Sequence, residues 1–299
     1  MAQEIFPLKI CSLRALQYRL GFDRELLWDV AETAGRYYRP FPKYKGDKVR
    51  WIDNPVGILK ELQGRIQDRL LSSIVFPDHI QGGVTGRSPI TNASAHVGAP
   101  LVVMLDVRKC FPSITNKHIF HAWRTMLGCT PTISHLLTKL TTYEGHLPQG
   151  APTSTTLANI VLARCDEEIR IWCSHYGITY TRFVDDLVFS GNSARSVINN
   201  VVEVLKRNGF RAPHAKQKIM GPRVRHQITG VVANTTLGVA REKRAKVRAE
   251  IHRLRFIENP DKAKKAALSI QGRIGFVSQA NPRSGASLRK LLDENYRGE

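Results

Sequence analysis

The chain has 299 residues, 42% of them hydrophobic and 23% charged, which suits a globular protein with room for two to three subdomains around a sizeable core. No apolar run reaches the roughly 18 residues of a membrane span, and MAQEIFPLKI (Met1 to Ile10) lacks the basic-then-apolar order of a secretory signal, so the expectation is a cytoplasmic protein with no membrane partner. Forty-five Lys and Arg stand against 25 Asp and Glu, a net charge of +20 with a pI near 10.1; this field favours a polyanion, nucleic acid above all, over a merely soluble basic protein.

Residues 1–40 alternate apolar and polar groups with helical spacing. Tyr44 to Pro55 (YKGDKVRWIDNP) reads as a hairpin turning at Gly46 and Asp47. Ile58, Leu59, Leu62, Ile66, Leu70 and Ile74 then recur along one helical face. His79 to His96 is Gly-rich and predicts a loop. Pro100 opens LVVML, an uninterrupted apolar strand that ends at Asp106. Helical patterns follow over 116–127 and 132–142. Leu147 to Thr155 (LPQGAPTST) is turn-rich and feeds a long helix through about Ser174. ITYTRFV, Asp185-Asp186 and LVFS form a predicted hairpin with two carboxylates at its bend. A helix over 193–208 and short strands near 228–240 complete the pattern before a basic, helical end. Residues 211–299 carry 20 Lys and Arg against 7 Asp and Glu, a net of +13, which places most of the excess charge in the last third of the chain. The cysteines (Cys11, Cys110, Cys129, Cys165, Cys173) are odd in number and contain no CxxC pair, against a zinc site or a disulfide framework.

The chemistry is carried by acids at strand ends. If the strand closed by Asp106 neighbours the hairpin bearing Asp185 and Asp186, the three carboxylates meet at one rim of a sheet, which is rigid enough to hold metal ligands. Mg²⁺ takes hard oxygen ligands, and carboxylates joined by phosphate oxygens and water supply them. Two such ions activate a hydroxyl and stabilise a leaving pyrophosphate. Singly, each piece also reads as an ordinary turn or helix-cap residue.

Taken together, these segments resemble the reverse transcriptases. RFVDDLVFSG (Arg182 to Gly191) resembles their central aromatic-x-Asp-Asp motif. LDVRKCFPSIT (Leu105 to Thr115) resembles their first catalytic motif, an Asp followed five residues later by an aromatic. LPQGAPTSTTLAN (Leu147 to Asn159) is similar to the Pro-Gln-Gly and Leu-Ala-Asn segment, and KVRWIDNP with LKELQ to the fingers region. Within the family, the chain resembles the bacterial retron enzymes. NASAH (Asn92 to His96) fits their Asn-Ala-x-x-His signature, ITGVVAN (Ile228 to Asn234) is similar to their Val-Thr-Gly segment, and a basic helix follows, as it does there. The departures are Phe-Val-Asp-Asp where Tyr-Ala-Asp-Asp is commoner, Thr155 where proline is usual, and PHAKQ (Pro213 to Gln217) in place of an Asn-x-x-Lys-Thr pattern.

The resemblance implies an α+β, right-hand polymerase fold. Residues 1–100 would hold N-terminal helices and fingers, 101–225 a palm, with part of the fingers, whose antiparallel sheet carries the catalytic carboxylates, and 226–299 a basic helical thumb and RNA-binding region. It implies Asp106, Asp185 and Asp186 as catalytic carboxylates, holding two Mg²⁺ ions together with the backbone carbonyl of Val107. Around the incoming dNTP it implies Phe111 under the sugar, Lys48 and Arg50 on the triphosphate, Gln149 and Gly150 against the nucleotide or template, and Lys216 as a proton donor to pyrophosphate. Asn92 and His96 either contact RNA or brace the loop between fingers and palm. Thr229 and Gly230 mark the retron-type segment or a tight strand crossing. Arg241, Lys243, Arg244, Lys246, Arg248, Arg253 and Arg255, seven bases in fifteen residues, are spaced to track an RNA stem.

The implied partners are a structured noncoding RNA serving as template and primer, its RNA–DNA product, an effector protein of an antiviral defence system, and a host RNase H acting separately. The competing readings are another bacterial reverse transcriptase, of group II intron or diversity-generating type, and a catalytically silent RNA-binding scaffold with a polymerase fold.

Overall fold

The computed structural model describes residues 8–46, 48–212 and 217–296. Two short helices open it. Helix α1 (Leu13–Leu20) is capped by the Ser12 hydroxyl, which accepts from the Ala15 amide, and α2 (Arg24–Glu32) by the Asp23 carboxylate, which accepts from the Leu26 amide at 2.8 Å. They bury Leu16, Leu20, Leu27 and Val30.

Strands β1 (Phe41–Lys45) and β2 (Lys48–Ile52) pair antiparallel as the expected hairpin, with Phe41 opposite Ile52 and Lys43 opposite Arg50. Because side chains alternate, one face collects Lys43 and Arg50, and the other Tyr44, Val49 and Trp51. Helix α3 (Gly57–Ile66) runs on through a π-helical turn, Gln67–Leu71, and buries the predicted stripe at Leu59, Leu62, Ile66 and Leu70. The segment 79–96 is not wholly a loop. Pro89–Ser94 forms helix α4, because Ser88 and Thr91 close a reciprocal capping box and Pro89 presets the first turn.

At the centre is a four-stranded antiparallel sheet in the order β4-β5-β3-β6, built from β3 (Val102–Asp106), β4 (Thr179–Phe183), β5 (Asp186–Ser190) and β6 (Lys218–Met220). It is covered on both sides, which is why β3 reads as a continuous apolar run. Val103, Leu105, Leu187 and Phe189 join one core with the long helix α8 (Ser154–His175) and α9 (Val197–Arg207). Val102, Met104 and Val188 join a second core with the C-terminal part of the chain. Each such buried side chain contributes about 1.5–3 kcal/mol, so the sheet that carries the acids is among the best-anchored parts of the fold.

Between β3 and α8 lie α5 (Cys110–Ser113), α6 (Asn116–His121), whose π-helical extension runs to Met126, and α7 (Pro131–Thr141). After β6, a three-stranded antiparallel sheet, β7 (Gln227–Ile228), β8 (Val231–Ala233) and β9 (Leu237–Gly238), leads into helices α10 (Arg241–Leu254), α11 (Pro260–Ala280) and α12 (Pro282–Asn295). Mixed helices and antiparallel sheets in this order give the right-hand polymerase fold. No helix among the described residues is long and apolar enough to cross a membrane. The five cysteines are free thiols, four of them buried.

Candidate active site

Asp106 is the last residue of β3, and it lies directly opposite Asp186, the first residue of β5. Directly opposed residues in an antiparallel pair have Cα atoms about 4.5–5.5 Å apart and point to the same face. The β4–β5 hairpin turns through only two residues, Val184 and Asp185, since Phe183 pairs with Asp186. The Asp185 carbonyl accepts from the Val107 amide at 2.9 Å, which ties the turn to the end of β3. Asp106, Asp185 and Asp186 are thus brought to one edge of the sheet.

Val184 sits in the turn at φ +59°. A β-branched residue pays for the left-handed region, of order 1–3 kcal/mol, and holds it only where its surroundings impose it. Gly82 is part of that constraint, because a Cβ there would stand 2.3 Å from the Val184 amide nitrogen.

A cavity of about 850 Å³ opens in front of the acids, lined among others by Arg50, Val107, Lys109, Phe111, Gln149 and Asp185. Arg50 reaches it from β2, and Phe111 from α5, half-buried against the main core. Gln149 is held by a residue that sequence reading passed over. The Asp53 carboxylate accepts from the Gln149 amide at 2.9 Å, and the Asp53 amide donates to the Gln149 carbonyl at 2.8 Å. His146 Nε2 lies 3.7 Å from the same carboxylate. Gly150 adopts φ +130°, and a Cβ there would stand 2.8 Å from Ile52 Cγ2, so only glycine lets the end of β2 close onto this loop. Lys109, also unforeseen, lines the cavity in a left-handed conformation (φ +47°) at the start of α5. Next to it, burial pushes the Cys110 thiol up to about 12, which leaves it protonated and inert. Lys216 lies outside the described residues, as does the side chain of Lys48.

The donor chemistry would suit a hard divalent ion such as Mg²⁺, because three oxygen-bearing carboxyl groups are brought to one sheet edge. Among the described residues no three His, Cys, Asp or Glu side chains stand close enough together to hold a metal ion by themselves. That is compatible with an ion that draws part of its shell from substrate phosphates and water rather than from a protein cage.

Asn92 and His96 are buried in this structure. They are 0% and 1% exposed, and their hydrogen bonds run to neighbouring strands. His96 Nε2 lies 2.8 Å from Thr181 Oγ1, and Nδ1 lies 2.7 Å from Ser190 Oγ. Thr181 donates its one hydroxyl proton to Asn92 Oδ1 at 2.7 Å, so it accepts from His96 Nε2–H, and Nδ1 accepts from Ser190. Asn92 Nδ2 donates to Thr229 Oγ1 at 3.4 Å, and Thr229 donates to the Pro89 carbonyl at 3.1 Å. The signature thus fastens α4 to Thr181 of β4 and Ser190 of β5, on the sheet face that Asp186 shares, and to the 229–230 turn, where Thr229 and Gly230 both have positive φ.

Burial pushes His96 down to about 4 from its usual 6.5. The unfolded chain therefore takes up a proton at this site between pH 6.5 and 4 that the fold refuses. Its contribution is complete above pH 6.5 and falls as the pH drops toward 4, by about 3 kcal/mol in all. Urea unfolding at pH 7 and pH 5 should show a smaller acid loss in His96→Asn than in the parent chain; equal losses would place the effect elsewhere.

On α10, Arg241, Lys243, Lys246, Arg248, Arg253 and Arg255 are exposed and Arg244 is half-buried, while Val247, Ile251 and Leu254 face the core. Lys243 also lies over the Phe276 ring, 5.1 Å from its centroid.

The sequence model of the family "Reverse transcriptase (RNA-dependent DNA polymerase)" matches residues 41–257. The retron Ec86 reverse transcriptase of Escherichia coli is 32% identical over 233 residues, covering 77% of this chain and 72% of that protein. The retron Mx65 reverse transcriptase of Myxococcus xanthus is 34% identical over 278 residues, covering 85% of this chain and 64% of that protein. The retron Mx162 reverse transcriptase of Myxococcus xanthus is 29% identical, covering 95% and 67%. Enzymes of this family work with a divalent metal and deoxynucleoside triphosphates. With its acids, cavity and these relatives together, the chain belongs to the reverse transcriptases, the RNA-directed DNA polymerases, and among them to the retron type.

Proposed function

We propose that this enzyme copies a dedicated structured noncoding RNA into branched, RNA-linked single-stranded DNA (msDNA). The observation that carries the reading is the register of Asp106 against Asp186, with Asp185 pinned to Val107, at the edge of a cavity that also presents Arg50, Phe111 and Gln149. Asp106, Asp185 and the Val107 carbonyl would hold two Mg²⁺ ions, with Asp186 as a further carboxylate. Such ions, when bound, would acidify the attacking hydroxyl and offset charge on the departing pyrophosphate.

The remaining work falls to the chain's own groups. Phe111 lies under the sugar of the incoming dNTP and leaves no room for a 2′-hydroxyl. Arg50, with Lys48, offsets the triphosphate charge. Asp53 fixes the loop that presents Gln149 and Gly150 to the nucleotide or template. Lys216 gives a proton to the leaving pyrophosphate. The exposed bases of α10 track the phosphates of an RNA stem, with Thr229 and Gly230 shaping the turn before it. The priming group is a 2′-hydroxyl of an internal guanosine in the same RNA, so the product stays joined to its template RNA. A host RNase H removes the copied stretch, and an effector protein joins the complex in antiviral defence.

The test is the nucleic acid carried by the purified protein after expression with its flanking DNA. A small species degraded in part by RNase and in part by DNase, and absent from Asp106→Asn protein, is the expected result. Random cellular RNA with no DNA component would overturn the reading.

A further inference from the structure

Behind the Val184–Asp185 turn lies a fully buried ion pair that the chemistry above does not use. Asp166 on α8 and Arg182 on β4 are each 1% exposed. The Arg182 guanidinium donates Nε to Asp166 Oδ1 at 2.8 Å and Nη2 to Oδ2 at 2.7 Å. Tyr180 donates its hydroxyl to the same carboxylate at 2.6 Å. The remaining nitrogen points forward: Nη1 donates to the Val184 carbonyl at 2.8 Å and to Asn159 Oδ1 at 2.9 Å. Asn159 in turn donates Nδ2 to the Gly82 carbonyl at 2.9 Å. Gly82 is the residue whose close approach confines Val184, and the Gln81 and Gly82 amides donate back to the Arg182 carbonyl at 2.7 and 3.3 Å.

Two arms of this network end on the turn, Nη1 at the Val184 carbonyl and Asn159 by way of Gly82. Asn159 and Asp166, seven residues apart, project from one face of α8. They hold the planar fork of Arg182 at one angle, and that angle delivers Nη1 to the carbonyl of the one residue in the turn with a strained backbone. Lysine could not do this, since a point ammonium cannot fork onto a carboxylate and also reach two further acceptors.

We infer that Arg182 is a positioning residue: braced by Asp166 and Asn159, it locks Val184 in its left-handed conformation and so sets the direction of the Asp185 carboxylate. The inference rests on the reading of Asp185 as a metal ligand. A displacement of about 1 Å at a reacting centre costs on the order of 100-fold in rate, and a misdirected ligand also weakens the ion's hold.

The experiment is steady-state DNA synthesis on a primed RNA oligonucleotide with dNTPs and a Mg²⁺ titration, with melting temperature followed in parallel. Arg182→Lys should lower kcat about 100-fold with little change in dNTP KM, and raise the half-saturating Mg²⁺ concentration about tenfold. Asparagine accepts positive φ more readily than valine, so the Arg182→Lys penalty should shrink at least about fivefold when measured in a Val184→Asn background. Asn159→Ala, which leaves the Asp166–Arg182 pair in place, gives the same signature at smaller amplitude if Arg182→Lys melts too low to assay. An unchanged Mg²⁺ requirement, with the same penalty in both backgrounds, would reduce the pair to a structural strut. Asp185→Asn in the same assay separates the two claims: if it stays active, the metal-ligand reading has failed, whereas if it is inactive and Arg182→Lys is indifferent, only the positioning role has.

Discussion

Asp185→Asn should reduce DNA synthesis by about 10³-fold or more and leave RNA affinity within about twofold. The argument is one of charge at constant shape. The amide keeps the volume of the carboxylate and leaves the backbone bond from the Val107 amide to the Asp185 carbonyl in place. What it removes is a negative oxygen that a hard divalent ion requires. If such an ion supplies several kcal/mol of transition-state stabilisation, losing its grip costs three decades or more. Asp106→Asn should behave in the same way from the neighbouring strand. Asp106 and Asp186 are like charges directly opposed across β3 and β5, so Asp106→Asn also relieves a repulsion between those strands. RNA affinity, measured by filter binding, should be unmoved if the exposed bases of α10 supply it, as proposed above. Full activity in Asp185→Asn would remove the basis for the two-ion reading. A fall in activity matched by a fall in RNA affinity would point to folding instead.

The acids at the heart of this prediction were legible because their signals are local. A run of five apolar residues ending in Asp, and a hairpin whose bend is Asp-Asp, each announce themselves within ten residues. Neighbourhood in one sheet was then enough to bring them together. The supporting groups were not legible for the same reason inverted. Asp53 meets Gln149 across 96 residues, His96 meets Ser190 across 94, and Asn159 meets Gly82 across 77. No periodicity marks a polar residue that is buried because a distant partner satisfies it. Arg182 and Asp166 are the sharpest case. In sequence they pass for ordinary surface charges on a strand and a helix, yet in the fold neither meets solvent. Asn92 and His96 were visible as a motif, but a motif carries no information about depth, and their burial emerges only from the fold.

Phe111 allows the remaining large prediction, a change of substrate rather than a loss of activity. It lies in α5, a four-residue helix entered from Lys109 with positive φ. The start of α5 is therefore fixed by the backbone, and the ring is held against the main core while it lines the cavity. A ring held in this way can discriminate by collision, which needs no attractive contact with the correct substrate. Phe111→Val removes most of the ring and keeps an apolar side chain. The efficiency of ribonucleotide incorporation, as kcat/KM, should rise about 100-fold, while that of the matching deoxynucleotide falls less than about tenfold, since pocket contacts of this size are worth about 1–3 kcal/mol. Single-nucleotide extension of a primed RNA template with dATP and ATP measures both. A pure core role predicts the opposite pattern, in which both efficiencies fall together and the melting temperature drops with the lost packing. If the ratio between the two nucleotides stays constant in Phe111→Val, selection of the sugar belongs to another wall of the cavity.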